Sequence, residues 1–159
     1  MERKRGSHKK EAYIWVLLRI AIGWLFLWAF FDKLFGLGFN TASNKSWING
    51  VSPTAGFLKL GTHGIFSGFY NSLTGSVVID WIFMIGLLLL GLGLIFGIYV
   101  KIAAYAGALL MFLIWTALTP PEHNPIIDEH IVYLLVLIGI AISKSSLEFS
   151  LEKRFIKKE

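Results

Sequence analysis

The chain has 159 residues, of which 55% are hydrophobic and 16% charged, with a formal net charge of +5 and no cysteine. That is too little charge to cover the surface of a water-soluble domain of this length, and the absence of cysteine excludes disulfides, thiolate metal sites and Cys-x-x-Cys redox chemistry. Any electron transfer therefore needs a bound cofactor or a partner protein.

The first segment, residues 1–11, is basic, with Arg3, Lys4, Arg5, Lys9 and Lys10. An apolar stretch at about 12–35 follows. It is longer than the roughly 7–15 residues of a signal-peptide core, is bulky in Trp and Phe, and precedes no small-residue cleavage site, so it reads as a retained helix. Ionisable residues inside a span are costly and count as functional candidates. Arg19 sits about two turns inside, either snorkelling to the inner headgroups or serving a function. Asp32 and Lys33 lie near the outer end, after Trp24, Trp28, Phe30 and Phe31. They form either an interfacial charge pair behind an aromatic belt, or a site in which Asp32 faces the bundle and meets Lys59, His63 or His130.

A long external loop, residues 36–76, comes next, and loops of this length tend to be functional or to carry structure of their own. Ser52-Pro53 reads as an N-cap followed by proline at the first helical position, which predicts a short helix from Pro53 to about Leu60. Trp47, Ile48, Phe57, Leu58, Ile65, Phe66, Phe69 and Tyr70 are too apolar for a free loop and are expected at the membrane interface or as a cap on the bundle.

Three further spans follow at about 77–99, 102–118 and 125–143, each near the roughly 20 residues needed to cross about 30 Å of hydrocarbon. Asp80 in the first turn of the second span suits the helix dipole. The second and third spans are joined by a very short turn around Lys101 and must be antiparallel neighbours. Gly93 and Gly97 form a small-xxx-small pair for close packing, within the bundle or between copies. Asn124 and Pro125 are expected to cap and open the fourth span, with Asp128 and Glu129 in its first turn. The uncharged run from Ile131 to Ile142 is too short to cross alone, which draws Asp128, Glu129 and His130 to the interface or just below it. The tail, residues 144–159, is basic and has Leu147, Leu151 and Phe155 at four-residue spacing. It is either an amphipathic helix on the inner leaflet or a solvated tail.

Eleven of the 15 Lys and Arg residues lie before the first span, at Lys101 or from Lys144 onward, and Arg19 makes twelve; only Lys33, Lys45 and Lys59 lie on the other side. The positive-inside rule then places both termini and the Lys101 turn in the cytoplasm, and the expected location is the cell (plasma) membrane. The expected fold is an all-α four-helix membrane bundle with a partly helical external loop.

The outer helix ends gather Asp32, Asp80, Glu122, His123 and His130 beneath a Trp- and Phe-rich loop. An aromatic pocket with a few acid–base groups suits a flat amphipathic ligand. A quinone head group fits, because its reduction takes up protons as well as electrons and imidazole titrates near neutrality. His63, His123 and His130 match no zinc spacing, and the chain has no flavin motif.

Three stretches, Gly23–Gly36 (GWLFLWAFFDKLFG), Ser46–Leu58 (SWINGVSPTAGFL) and Asn124–Tyr133 (NPIIDEHIVY), resemble the DoxX/DoxD family of small membrane proteins. The resemblance covers about Tyr13 to Ile142, and the middle stretch and long loop are closer to the DoxD branch. DoxD is a subunit of thiosulfate:quinone oxidoreductase, which joins thiosulfate to tetrathionate and passes electrons to membrane quinone. The resemblance implies a quinone-linked subunit with thiosulfate chemistry at the outer face and a second, DoxA-like subunit as partner.

Three readings of function stand side by side: an oxidoreductase subunit, a non-catalytic membrane scaffold or chaperone for another complex, and a small transporter. On the first, His130 with Asp32 and Glu129 carries the proton chemistry. Lys33, Trp28, Trp47, Lys59, His63 and His123 are then the candidates for holding quinone or an anionic sulfur substrate. The expected partners are the lipid bilayer and a DoxA-like subunit or a second copy of the chain; nothing points to nucleic acid.

Overall fold

The computed structural model describes residues 2–121, 124 and 126–152, with side chains from Glu11 onward. All regular structure among them is helical: α1 at Glu2–Phe35, α2 at Ser67–Ser72, α3 at Val77–Phe96, α4 at Val100–Ala117 and α5 at Glu129–Ile142. Three segments are long and apolar enough to cross a membrane: Glu11–Phe35, Val77–Phe96 and Val100–Ala117. The protein is a multi-pass membrane protein. Large side chains such as Leu17, Val78, Ile82, Leu89, Leu109 and Leu135 are exposed around the bundle, where lipid replaces water as their neighbour.

α5 has 14 residues, about 21 Å at 1.5 Å per residue, and is shorter than the fourth span expected at 125–143. The expected Asn124 cap is not formed. Asn124 Oδ1 instead accepts from the amides of Ile126 and Ile127, a local turn that keeps this stretch out of the helix. Asp128 takes the cap, its Oδ1 accepting from the amides of His130 and Ile131.

α1 and α3 run antiparallel in close contact because glycines face the partner helix. A Cβ on Gly23 would sit 2.9 Å from Leu94 Cβ, and one on Gly91 would sit 2.7 Å from Leu27 Cβ and 2.9 Å from its backbone. Of the Gly93 and Gly97 pair, Gly93 packs closely within the bundle as expected, against Ala103 of α4, while Gly97 ends α3 in the left-handed conformation. α4 turns a small-residue face inward (Ala103, Ala104, Gly107, Ala108), which admits Leu137 of α5 and Phe26 of α1. The core is the apolar set Ile22, Phe26, Leu87, Leu90, Leu94, Met111, Leu137 and Ile140 between these four helices.

At the end of the bundle holding the α3–α4 turn, termed here the basic end, Arg19 is 1% exposed and donates to the Ser146 carbonyl at 2.6 Å. It is not a snorkelling side chain; it pins the chain just after α5. Residues 144–152 fold back across this end. Ser146 and Ser150 are fully buried, the Glu152 amide donates to the Gly97 carbonyl, and Glu152 Oε2 accepts from the Val100 amide at the start of α4. A turn at Glu148 and Phe149 interrupts any continuous helix from Leu147. Phe155 lies outside the described residues.

Gly97 has φ +69°, and an added Cβ would lie 2.5 Å from Ser150 Cβ. Gly97→Ala is therefore expected to cost about 2 kcal/mol, from left-handed strain and lost docking together. Thermal unfolding in detergent and faster proteolysis of the C-terminal segment would register it.

Candidate functional site

The opposite end of the bundle, termed here the loop end, carries residues 36–76. Two sets of hydrogen bonds fix this segment over the helices. Asp80, 6% exposed in the first turn of α3, accepts from Ser52 Oγ at 2.8 Å and Thr54 Oγ1 at 2.5 Å. Tyr70 of α2 donates to the Leu113 carbonyl at 2.9 Å and pairs with Thr116 Oγ1 at 2.6 Å, fastening α2 to α4. The helix expected from Pro53 is present as a turn at 53–54 followed by helix from Ala55 that widens at Phe57–Gly61, and Ser52 Oγ caps it by accepting from the Ala55 amide. Of the apolar loop residues, Phe57, Leu58 and Tyr70 turn inward, whereas Ile48, Ile65, Phe66 and Phe69 are exposed.

Beneath this roof lies a cavity of about 610 Å³, walled by α1, α3, α4 and α5. Its walls are apolar (Ile22, Phe26, Ala29, Phe83, Leu87, Leu110, Met111, Ile114), and its polar members are Lys33, Asn40, Thr54, Tyr70, His130 and Tyr133. Leu25, Ile82 and Leu113 both line it and are exposed on the apolar surface, so it is reached from the side of the bundle. Its volume is within the range of sites for ligands of drug size.

Two of the expected residues meet here although far apart in sequence. Lys33, in the last turn of α1, places Nζ 5.9 Å over the Phe83 ring, a contact that stabilises a cation in an apolar wall. His130, in the first turn of α5, is held by Asp128, whose Oδ2 lies 2.8 Å from Nδ1. Asp128 thereby caps the helix with one oxygen and with the other orients the imidazole of His130, a lining residue of the cavity.

Asp32 does other work. It is 2% exposed, and its two oxygens accept from the backbone amides of Phe39 at 3.2 Å and Asn40 at 3.0 Å. It closes the turn after α1, and neither Lys59, His63 nor His130 is its partner. Asp32→Ala would strand two amides at the cost of about 2 kcal/mol. The check is thermal unfolding in detergent beside Asp32→Asn, which keeps one acceptor oxygen and is expected to lose less.

The remaining candidates do not converge on this cavity. Trp28 packs edge-on against Phe39 at 5.1 Å, and Trp47 against Trp81 at 4.7 Å. Lys59 is exposed. Lys33, Lys59 and His63 thus form no common anion site. His63 lies in a second cavity of about 540 Å³ lined also by Asn124, Ile127, Asp128, Glu129 and Val132. Its Nε2 is 2.9 Å from the Pro120 carbonyl. Glu129 is exposed in that cavity, not in the first. His123 and Glu122 lie outside the described residues. Asp128, Glu129 and His130 place ligand atoms within 4.8 Å of one another, but Asp128 is already committed to the cap and the imidazole.

Reading the residues alone misses Tyr70, Thr54 and Tyr133 as cavity members, because their convergence depends on how the loop folds back. It also leaves Asp128 as a first-turn acid. The Asp-x-His spacing directly before an apolar run is the signal for its double role.

A family model described as DoxX matches residues 14–120. That range holds α1 from Ile14 onward, the loop, α3 and α4, with Asp32 and Lys33, and stops short of Asp128, His130 and α5. No curated protein and no solved structure matches the chain.

Proposed function

The chain belongs to the DoxX family, and from that premise and the loop-end cavity we propose that it is the membrane subunit of a quinone-linked oxidoreductase. The reading finds its main support in one observation: an apolar cavity opening on the lipid-facing surface and carrying Lys33 and an Asp128-braced His130. Quinones dissolve in the bilayer and need a lateral opening. Their head groups need apolar walls, hydrogen-bond donors to the carbonyl oxygens and a source of protons.

Reduction of the quinone to the quinol consumes two electrons and two protons. Lys33 would donate to one carbonyl oxygen, and His130 Nε2 would serve the other and deliver protons. The chain has no cysteine to relay electrons, so they would come from a partner protein. Oxidation of two thiosulfates to tetrathionate releases the required two electrons, and a DoxD-like subunit working beside a DoxA-like one accounts for the division of labour. Lys33, Lys59 and His63 do not converge among the described residues, and in this reading sulfur-substrate binding is placed on that partner. The charge asymmetry supports an orientation in which the basic end faces the cytoplasm and the cavity lies in the outer half of the plasma membrane.

The test is to purify the protein with its neighbours from native membranes, extract and quantify bound quinone, and assay thiosulfate-dependent quinone reduction. Roughly stoichiometric quinone and His130-dependent activity are expected. No bound quinone and no activity would end the reading. A stoichiometric partner whose own activity ignores His130→Ala would instead favour a non-catalytic scaffold.

A further inference from the structure

The second cavity lies outside the one proposed to hold quinone, yet it touches the same machinery. α5 presents two faces at its start. His130 and Tyr133, three residues apart, line the quinone cavity; Glu129 and Val132, also three apart, line the second cavity together with the cap residue Asp128. The hydrogen bond of 2.8 Å between Asp128 Oδ2 and His130 Nδ1 therefore joins a group lining one cavity to a group lining the other. The surroundings differ in character. His63, Asn124, Asp128 and Glu129 make the second cavity the more polar of the two, and Glu129 is exposed. On the quinone side Lys33 and Tyr133 are the charged and titratable neighbours, with Tyr70 committed to α4.

We propose that Asp128 and His130 form a proton bridge between the two cavities, so that protons consumed in the quinone cavity are drawn from the polar cavity at the loop end. The proposal rests on the quinone reading and adds to it the source and route of the protons. A protonated Asp128 gives its proton to His130 Nδ1 while Nε2–H gives its own to the reduced quinone oxygen. Asp128 is then reprotonated from the polar cavity, with Glu129 and His63 at its rim, and a reorientation of the imidazole ring turns its bare nitrogen to Asp128 and its N–H to the quinone cavity, restoring the starting state. Two such transfers balance the two electrons supplied by the donor protein. Asp128 is a positioning and relay residue here, since it reaches the quinone only through His130.

The experiment uses the full chain in nanodiscs loaded with decylubiquinone, with an electrode as reductant. It measures retained quinone, the rate of proton-coupled reduction and the solvent deuterium isotope effect. Asp128→Asn keeps an oxygen for the helix cap but carries no proton. Val132→Trp narrows the polar cavity and leaves both side chains of the bridge, and the backbone bond from the residue 132 amide to the Asp128 carbonyl, in place. Both variants are expected to retain quinone within twofold of wild type and to slow reduction at least tenfold, and Asp128→Asn is expected to raise the isotope effect at least twofold. If wild type retains no quinone, the quinone reading fails and the bridge with it. If quinone is retained and both variants reduce it within twofold of wild type, the bridge alone is overturned. Should Asp128→Asn not fold, Val132→Trp decides by the same criterion.

Discussion

His130→Ala is expected to lower quinone reduction by about 100-fold or more while leaving the bundle folded, the range typical for loss of a positioned acid–base group. The imidazole is only partly buried, with its side chain 18% exposed, and its one hydrogen-bonding partner among the described residues is Asp128. The helix cap uses the backbone amide of residue 130, which alanine retains. The loss should therefore appear in turnover rather than in stability. Lys33→Met would contrast with it. That change keeps an apolar stem against Phe83 and removes the donor, so it should weaken quinone retention more than it slows the reduction of quinone already bound. A His130→Ala protein that turns over at the wild-type rate would remove the imidazole from the chemistry.

The largest structural effect is expected from Gly91→Val. The helix pair α1 and α3 closes at Gly91, where an added Cβ would meet Leu27 Cβ at 2.7 Å and Leu27 backbone atoms at 2.9 Å. Backbone cannot rotate away as a side-chain tip can, so the helices must separate. The expected destabilisation is about 3 kcal/mol, at the upper end for overpacked positions. Gly86 lies one to two turns earlier on the same helix, and a Cβ there meets nothing within 4 Å. Gly86→Ala should accordingly leave stability within about 0.5 kcal/mol of wild type. Paired unfolding curves in one detergent test the contrast directly. Since Phe83 and Leu87 on α3 wall the cavity, Gly91→Val should also lose quinone.

The spans were readable because hydrocarbon imposes one requirement on every residue of a helix, so a run of apolar side chains speaks for itself. The ends of the spans were harder. Asn124 and Asp128 are both good caps, and the choice between them turned on Asn124 folding onto Ile126 and Ile127 while Asp128 had a histidine two residues on. Polar residues within the spans were harder still. Asp32 reads either as half of an interfacial charge pair or as an acid facing the bundle, and instead two backbone amides of the loop take its oxygens. Arg19 reads either as a snorkelling side chain or as a functional one, but the chain beyond α5 returns to meet it, a contact across 127 positions. The pairing of Lys33 with His130 was legible only as two candidates near the same membrane face. Their common cavity depends on Asp80 and Tyr70 holding the loop down, and no local pattern announces those contacts. The aromatic residues Trp28 and Trp47 drew attention by type. Their partners, Phe39 and Trp81, show them to be packing elements outside the cavity.

The most direct test of the central claim is photoaffinity labelling of the purified protein with an azido-quinone, with the modified residues mapped by mass spectrometry. The account predicts labels on the cavity faces of α1, α3 and α5, around Phe26 to Lys33, Phe83 to Leu87 and His130 to Tyr133, with competition by unlabelled decylubiquinone. Labels scattered over the outward faces at Leu17, Leu89 and Leu109, unmoved by competitor, would contradict it.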